Sequence, residues 1–280
     1  MTVLVLGASS QIGHFLLPRL REAGHDVLAL SRRPRPAQPG VHWIHGGLPD
    51  AMPSGLPPLA GIVCYGPLLP FAQWLARAPV TGFPRVVATS SMSALTKRDS
   101  VVPAERAIAQ LLREGEQLLA DTCAARGWAW TVLRPTIVYG AGLDRSLTPI
   151  ARRAARLRAF PLPAGRGLRQ PVHADDIAQA SLAALARSGA GSAIVPIGGG
   201  ERLSAAAMFA RVRESLPVTT VPLPVPRVAL QLGARLAPAL RGALARLDED
   251  LVADNTALTR LLAVQPRPFR PDARCWGLPR

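Results

Sequence analysis

Short runs of apolar residues alternate with amphipathic stretches along the first half of the chain. The first apolar run covers residues 2–6, and apolar positions then recur at helical spacing over 11–23, where Gly24 follows. A second apolar run covers 26–30. A strand, a glycine turn, a helix and another strand in this order predict a βαβ unit.

Further strand-like runs continue the alternation. They lie at 41–44, 61–64, 85–89 and 129–133. A long helical pattern over 104–125 precedes the last of them, whereas the four prolines within 46–61 argue against a helix there. Strands that alternate with helices predict an α/β fold with a doubly wound parallel sheet.

The pattern is looser after Gly142. Helices are predicted over 149–158, 175–187 and 204–216, and strands over 170–173 and 192–197. Ser204 is a suitable cap for the last of these helices. An amphipathic stretch follows over 225–240. Packing against a core is the commoner use of such a stretch, and contact with a membrane surface is the alternative.

The composition excludes several classes of protein. Of the 280 residues, 49% are hydrophobic and 18% charged, which excludes a chain that is disordered throughout. No apolar run is long enough for a spanning helix, and the first residues do not resemble a signal peptide. The three cysteines have no paired spacing, so neither a disulfide framework nor a metal site is predicted. We therefore expect a cytoplasmic protein without a transmembrane segment.

The net charge of +15 comes almost entirely from arginine, because Lys97 is the single lysine among 33 basic residues. The chain lacks a long basic run, zinc-finger spacing and alternating basic and aromatic residues, so we do not expect it to bind nucleic acid. Seven arginines lie between residues 144 and 169. They indicate either a solvated helix face or a surface beside a site for an anionic substrate.

A glycine-bearing loop connects the first strand to the first helix. Gly7 ends the strand, and Gly13 lies in the first helical turn. Glycine at these points permits a tight turn and close packing of helix and strand, and the backbone N–H groups of the helix end then face a pyrophosphate. This pattern predicts a dinucleotide site, and its candidate residues are Gly7, Ser9, Ser10, Gln11, Ile12 and Gly13.

The end of the second strand suggests which dinucleotide binds. An NAD site usually has an acidic residue here for the ribose hydroxyls, but the chain has Ser31, Arg32 and Arg33. Guanidinium groups suit a 2′-phosphate. The sequence therefore favours NADP, with NAD as the alternative; two solvated arginines without a role are the other interpretation.

Four segments in this order resemble the short-chain dehydrogenase/reductase superfamily, in its extended branch of sugar-nucleotide epimerases and dehydratases. They are the loop at 7–13, the fifth strand and its serine at 86–91, the sixth-strand signature at 133–140, and the segment at 167–178. Ser10 replaces the middle glycine of the family's loop. The similarity extends over nearly the whole chain.

This resemblance implies a Rossmann-like core at 1–142, with 170–198 returning to it, and a smaller substrate-side lobe formed by 143–169 and 199–280. It also implies roles for individual residues. Leu48 and Pro135 would contact the cofactor, Ser91 would hydrogen-bond the reacting oxygen, and Arg169 would grip a substrate diphosphate.

The chain departs from the family at its usual acid/base. The family carries a Tyr-x-x-x-Lys pair on the helix after the fifth strand, and the alignment places Ile108 and Leu112 at those positions. The only tyrosines are Tyr65 and Tyr139, so no alignment register restores the pair. The family's Gly-Asp-Leu after the third strand is replaced by Gly-Gly-Leu at 46–48, which removes an adenine contact.

Several residues remain as candidates for the chemistry. Ser91 is either a hydrogen-bond donor to the reacting oxygen or the cap of a turn, and Tyr65 or Lys97 is a candidate to replace the missing acid. His173 is interpreted as structural. For Arg169, an ion pair with Asp175 or Asp176 is the alternative to a diphosphate clamp.

Two functions follow from the resemblance. One is an NADP-dependent reductase or epimerase that acts on a nucleoside-diphosphate sugar or a similar anionic small molecule. The other is a non-catalytic NADP-binding protein with a structural, assembly or redox-sensing role. A homodimer is compatible with both.

Overall fold

The computed structural model describes residues 1–189, 191–226, 228 and 247–279. The chain divides into two compact units. The first comprises Met1–Pro135, Asp175–Ile197 and Asn255–Gln265, and the second comprises Thr136–Ala174, Gly198–Asp254 and Pro266–Arg280. The sequence predicts boundaries at 142, 169 and 198, whereas the chain passes between units after 135, 174 and 197, and 255–265 also belongs to the first unit.

The helices and strands are numbered in chain order. The strands are β1 (Thr2–Leu6), β2 (Asp26–Ser31), β3 (Val41–His45), β4 (Gly61–Cys64), β5 (Arg85–Thr89), β6 (Trp130–Pro135), β7 (Val138–Tyr139), β8 (Ala159–Pro163), β9 (Leu168–Arg169), β10 (Val172–His173), β11 (Ala193–Ile197), β12 (Leu203–Ser204) and β13 (Val221–Val225). The α-helices are α1 (Gln11–Glu22), α2 (Leu68–Arg77), α3 (Ser93–Thr96), α4 (Pro103–Ala125), α5 (Thr148–Leu157), α6 (Ala174–Ala186), α7 (Ala205–Glu214) and α8 (Thr256–Leu262).

A seven-stranded parallel sheet forms the centre of the first unit. Its strand order is β11-β6-β5-β4-β1-β2-β3. This arrangement confirms the predicted α/β fold with a doubly wound parallel sheet. The direction of winding reverses between β1 and β4, and in such sheets ligands bind in the crevice at the carboxyl ends of the strands beside that point.

Helices α2 and α4 cover one face of this sheet. Phe71 and Leu75 of α2 and Leu119 of α4 are fully buried in the same apolar cluster. Gly115 lets the two helices approach closely, because a Cβ atom there would lie 2.8 Å from the backbone nitrogen of Leu69. The sequence analysis missed α2, although its buried positions recur at helical spacing. The predicted absence of a helix in 46–61 is confirmed.

A buried ion pair joins α4 to the sheet. The guanidinium of Arg134 on β6 donates two hydrogen bonds, of 2.7 and 2.5 Å, to the carboxylate of Glu116. Both side chains are shielded from water. The two parallel bonds set the rotation and the height of α4 on the sheet, so they also set the register of the residues that precede Glu116 on this helix.

An ion pair also links the helices on the opposite face. Arg19 of α1 donates to both carboxylate oxygens of Asp175 in α6, at 2.8 and 2.9 Å. Leu16, Leu17 and Leu20 form the buried face of α1.

The second unit has its own apolar core. Four large aromatic side chains are fully buried there: Tyr139, Phe160, Phe269 and Trp276. Helices α5 and α7 pack beside the parallel pair of β8 and β13. Ser204 caps α7 as predicted, since its hydroxyl accepts the N–H of Ala207.

The amphipathic stretch predicted over 225–240 lies almost entirely outside the described residues. Within the part of the chain that is described, each helix is too short or too polar to cross a bilayer.

We expect Glu116→Ala to lower the free energy of unfolding by about 3 kcal/mol, because it leaves the Arg134 guanidinium buried without its counter-charge. Urea denaturation followed by tryptophan fluorescence measures the change. Glu114→Ala is the matched control, since Glu114 lies exposed on the same helix and binds only Gln110. A loss of similar size in both variants would show that the buried ion pair contributes no more to the free energy of unfolding than the exposed contact of Glu114 does. The double variant Glu116→Ala/Arg134→Met should recover much of the loss.

Candidate functional site

The loop between β1 and α1 lies at the point where the sheet reverses. Gly7 has a φ of +74°, and a Cβ atom on it would lie 3.0 Å from the carbonyl carbon of Tyr65. A Cβ on Gly13 would lie 2.3 Å from the carbonyl oxygen of Ala8. Backbone is the neighbour in both cases, so no larger residue fits at either position. Glycine at both positions is therefore required by the packing of the loop, and this tight turn brings the start of α1 to the end of β1.

Ser10 replaces the middle glycine of the loop and caps α1. Its hydroxyl accepts the N–H of Gly13 at 3.1 Å, and its own N–H donates to the carbonyl of Gly7 at 2.9 Å. The first turn of α1 contains no acidic residue. The positive end of this helix dipole is therefore not neutralised by a carboxylate of that turn, which suits an anionic ligand.

The end of β2 carries a cluster of arginines around Ser31. The buried Ser31 hydroxyl donates to the carbonyl of Arg33 at 2.8 Å and accepts from Nε of Arg35 at 3.4 Å. Arg32 and Arg33 are exposed. The sequence analysis missed Arg35, although a third arginine four residues after Ser31 was a visible signal.

The end of β3 lies beside this cluster. A Cβ atom on Gly47 would lie 2.6 Å from Cγ of Arg32, so the Arg32 side chain rests on Gly47. In the family this position is usually aspartate, and any side chain here would displace Arg32. Leu48, the next residue, approaches Gly66 at the end of β4, where its Cδ1 lies 3.8 Å from a Cβ built on that glycine. Residues from β1, β2, β3 and β4 thus converge at one end of the sheet.

Ser91 follows β5 and begins a short helix. Its hydroxyl accepts the N–H of Ser93 at 3.1 Å, as in the capping interpretation. A hydroxyl that accepts in this way keeps its own proton, so Ser91 can still donate a hydrogen bond. Pro135 ends the neighbouring β6, and its carbonyl accepts the N–H of Met92 at 3.0 Å.

Tyr65 follows β4, and its hydroxyl points into the protein. No hydrogen-bond partner for this oxygen is found among the described residues. Burial raises the pKa of the Tyr65 phenol above its usual value, and the neighbouring hydroxyl of Ser181 offsets part of that shift without reaching hydrogen-bond geometry. The surroundings keep the phenol neutral, which suits neither a general base nor an easily ionised acid.

Ile108 and Leu112, which the resemblance aligns with the family's tyrosine and lysine, lie on α4. Ile108 and Leu112 precede Glu116 by two turns and one turn, so they share its side of the helix. Ile108 is 44% exposed and Leu112 is half-buried. Neither of these aliphatic side chains can donate or accept a proton. Lys97 lies at the end of α3, half-buried.

Arg169 lies in the second unit, on β9. Its Nη1 donates to the carbonyls of Leu168 and Glu249, at 2.8 and 2.5 Å, and only 6% of the residue is exposed. Burial lowers the pKa of its guanidinium, and the carboxylates of Asp250, Glu249 and Asp248 act in the opposite direction. The sequence analysis missed this acidic neighbourhood, because the residues lie about 80 positions away along the chain. It also named Asp175 as an alternative partner, but Asp175 binds Arg19.

The residues from Leu247 to Leu251 run alongside β9. The N–H of Leu168 donates to Oδ1 of Asp250 at 2.7 Å, and the N–H of Leu251 donates to the carbonyl of Leu168 at 2.8 Å. Gln170 extends this contact, since its Oε1 accepts the N–H of Ala253 at 2.8 Å. These bonds hold the backbone of Arg169 in place.

His173 has the surroundings of a structural residue. Its ring packs edge-to-face on Tyr139, with the ring centroids 5.1 Å apart. A Cβ atom on Gly140 would lie 2.5 Å from its Nε2, so the imidazole rests on that glycine. No group of three or more potential metal ligands occurs among the described residues.

Solved structures share this fold at low sequence identity. The protein MoeE5, solved with UDP-glucuronic acid and NAD, is 22% identical, with a TM-score of 0.71 over 96% of this chain and 94% of that one. A UDP-galactose 4-epimerase is 15% identical, with a TM-score of 0.73 over 99% and 97%. UDP-glucose 4-epimerase from Thermotoga maritima, solved with UDP-glucose, is 17% identical, with a TM-score of 0.70 over 98% and 97%.

Sequence comparison identifies a family for this chain but no individual curated relative. A search of curated proteins finds no significant match. A model of the NAD dependent epimerase/dehydratase family matches residues 3–52 and 107–198, which include the glycine loop, the sixth-strand signature and the Arg169 segment. Together with the loop geometry, this match shows that the chain belongs to the NAD-dependent epimerase/dehydratase family.

Proposed function

We propose that this protein is an NADP-dependent oxidoreductase that acts on a nucleoside-diphosphate sugar. The observation that carries the proposal is the combination of the glycine loop with the arginine cluster at the end of β2. Gly7 and Gly13 form the tight turn that opens α1, and at the end of β2 the buried Ser31 hydroxyl bonds the carbonyl of Arg33 and Nε of Arg35, beside the exposed Arg32. The residues present therefore fit a dinucleotide.

The preference for NADP follows from charge. A diol-binding site needs a carboxylate acceptor at the end of β2, and the chain places arginines there. Gly47 reinforces the preference, because the Arg32 side chain occupies the space of the family's aspartate. A 2′-phosphate offers the anionic oxygens that guanidinium groups bind best.

The cofactor would supply a nicotinamide that accepts or donates a hydride. The chain's own contribution would begin with Ser91, whose hydroxyl accepts the N–H of Ser93 and would donate a hydrogen bond to the oxygen of the reacting carbon. Leu48 and Pro135 would line the cofactor beside the loop, as in the family.

Arg169 of the second unit is the group for the substrate's diphosphate. Its backbone is held by the residues from 247 to 251, and the nearby carboxylates offset part of the lowering of its guanidinium pKa by burial. Similar structures were solved with UDP-glucose and with UDP-glucuronic acid, and a diphosphate is common to both molecules.

A non-catalytic NADP-binding protein is the second candidate. Ile108 and Leu112 stand where the family has its proton-transfer pair, and the buried phenol of Tyr65 is a poor replacement. If the chain is an enzyme, Ser91 must therefore act with Lys97, a water molecule or a group of the substrate.

We expect Arg32→Ala and Arg169→Ala to have crossed effects on binding. Arg32→Ala should weaken NADPH by about tenfold or more and leave UDP affinity unchanged, because one charge-assisted hydrogen bond contributes about 1.5–3 kcal/mol. Arg169→Ala should weaken UDP binding by a similar factor and leave NADPH affinity unchanged. The wild type should prefer NADPH over NADH by about tenfold. Isothermal titration calorimetry measures all of these affinities.

Each variant serves as the control for the other, and thermal melting shows whether either has lost its fold. Equal wild-type affinity for NADPH and NADH would contradict the NADP assignment. No binding of UDP or dTDP at millimolar concentration would contradict the sugar-nucleotide assignment while leaving the cofactor assignment standing.

We expect Ser91→Ala to lower kcat by at least about 10²-fold on any nucleotide sugar that the wild type converts, because the reacting oxygen loses its donor. Ser93→Ala is the matched control, since Ser93 contacts Ser91 through its backbone N–H alone. Absorbance at 340 nm follows net hydride transfer, and NMR of the sugar follows internal epimerisation. A wild type that binds NADPH but converts no sugar in a broad panel would favour the non-catalytic candidate.

Tyr65 should make the folded protein lose stability above pH 10. The raised pKa keeps the native phenol protonated, whereas the unfolded chain releases this proton near pH 10, so unfolding becomes more favourable as the pH rises. Urea denaturation at pH 8, 10 and 11 should show that stability falls by about 1 kcal/mol more between pH 10 and pH 11 in the wild type than in Tyr65→Phe. Parallel curves would show that Tyr65 is ionised easily and would restore it as an acid/base candidate.

A further inference from the structure

In the second unit, a short segment at 247–251 lies against β9 and contacts Arg169. Only 6% of Arg169 is exposed, and its Nη1 donates to the carbonyl of Glu249 in this segment at 2.5 Å. Arg169 and Leu251 also form an isolated parallel bridge. We call residues 247–251 the acidic strap, because three of them are acidic: Asp248, Glu249 and Asp250.

The acidic strap opposes a diphosphate at Arg169 in two ways. The carbonyl of Glu249 accepts a hydrogen bond that a phosphate oxygen would otherwise accept from the guanidinium. The strap also brings its three carboxylates near that guanidinium, and they would repel the negative charge of a diphosphate. A diphosphate therefore competes with the strap for the same cation.

Two side chains of the strap hold it on β9 through bonds that contact solvent. The carboxylate of Asp248 accepts the N–H of Arg166 at 3.0 Å, and the carboxylate of Asp250 accepts the N–H of Leu168 at 2.7 Å. Hydrogen bonds in contact with solvent are readily replaced by bonds to water, so they contribute little net stability. The acidic end of the strap can therefore detach at low cost in free energy.

The chain is held more firmly just beyond the strap. The N–H of Ala253 donates to Oε1 of Gln170 at 2.8 Å, and this bond is buried. Leu251 lies between the two regions, and its N–H donates to the carbonyl of Leu168 at 2.8 Å. Residues 247–250 can thus leave β9 while the chain stays anchored at Ala253.

Gly167 is the position on which the closed strap depends most directly. Its N–H donates to the carbonyl of Leu247 at 3.0 Å. A Cβ atom on Gly167 would lie 2.7 Å from the carbonyl carbon of Glu249 and 2.8 Å from that of Asp248. These neighbours are backbone atoms of the strap, and Gly167 does not have a positive φ. An alanine here would therefore exclude the strap without straining its own backbone.

We propose that the acidic strap regulates Arg169, the proposed clamp for the substrate's diphosphate, by competing with the substrate for its guanidinium. This regulation rests on that proposed role of Arg169. With the strap closed, the carbonyl of Glu249 holds Nη1. When a nucleoside diphosphate binds, residues 247–250 detach, and a phosphate oxygen replaces that carbonyl as the acceptor.

Hydrogen exchange of the full chain, followed by mass spectrometry with and without saturating UDP, tests the direction of the movement. We expect peptides that cover 166–170 and 247–251 to exchange faster when UDP is bound. The reason is that the N–H groups of Arg166, Gly167 and Leu168 all donate to the strap and lose their acceptors when it detaches. Slower or unchanged exchange in these peptides would overturn the proposal, because the strap would then stay closed around the ligand.

Isothermal titration calorimetry with UDP gives a second, independent test. Gly167→Ala leaves the charge unchanged and should raise UDP affinity by about fivefold or more, because it excludes the closed strap. Asp250→Ala should raise it about fivefold, because the strap loses one hydrogen bond. Asp250→Asn is the matched control: it removes the same charge but keeps an oxygen that can accept the N–H of Leu168, so its gain should be smaller.

Thermal melting and NADPH affinity show that each variant is intact. A wild type that binds UDP, with unchanged or weaker binding in Gly167→Ala and Asp250→Ala, overturns the strap and leaves Arg169 as the clamp. Equal gains in Asp250→Ala and Asp250→Asn, without a gain in Gly167→Ala, assign the effect to charge alone and also overturn it. If neither the wild type nor any strap variant binds UDP at millimolar concentration, the diphosphate role of Arg169 itself is wrong, and its regulation by the strap is wrong with it.

Discussion

The close approach of backbone to backbone at the end of β1 is the constraint on which the candidate site depends. Gly7 lies against the carbonyl of Tyr65, and Gly13 lies against the carbonyl of Ala8, in both cases too close for a Cβ atom. These contacts bring the ends of β1 and β4 and the start of α1 to one place. The same contacts place the positive end of the α1 dipole at this point, where an anionic ligand is favoured.

The cationic character of the site has a similar double origin. Ser31 is buried and holds the turn after β2 through its bonds to Arg33 and Arg35. Gly47 gives the Arg32 side chain a surface on which to lie. The missing side chain at the end of β3 thus leaves space for a charged side chain from the end of β2.

Helix α4 carries neither tyrosine nor lysine. The ion pair between Glu116 and Arg134 holds this helix on the sheet, and Ile108 and Leu112 lie on the same side of it as Glu116. Neither of these side chains can transfer a proton. A reaction whose proton comes from elsewhere, or a role that needs binding alone, is consistent with this arrangement.

The local pattern of the sequence was sufficient for the sheet, most of its helices and the glycine loop, because strand runs, glycine turns and helix caps are properties of neighbouring residues. It did not indicate α2, although the apolar spacing was present. It suggested two roles for Ser91, the cap of a turn and a hydrogen-bond donor, and one hydroxyl can fill both. Only the tertiary structure revealed the buried phenol of Tyr65, the contact of the Arg32 side chain with Gly47 and the acidic surroundings of Arg169. Each of these depends on residues brought together from distant parts of the chain, and burial and charge, which set a pKa or orient a guanidinium, are decided by those neighbours rather than by the residue type.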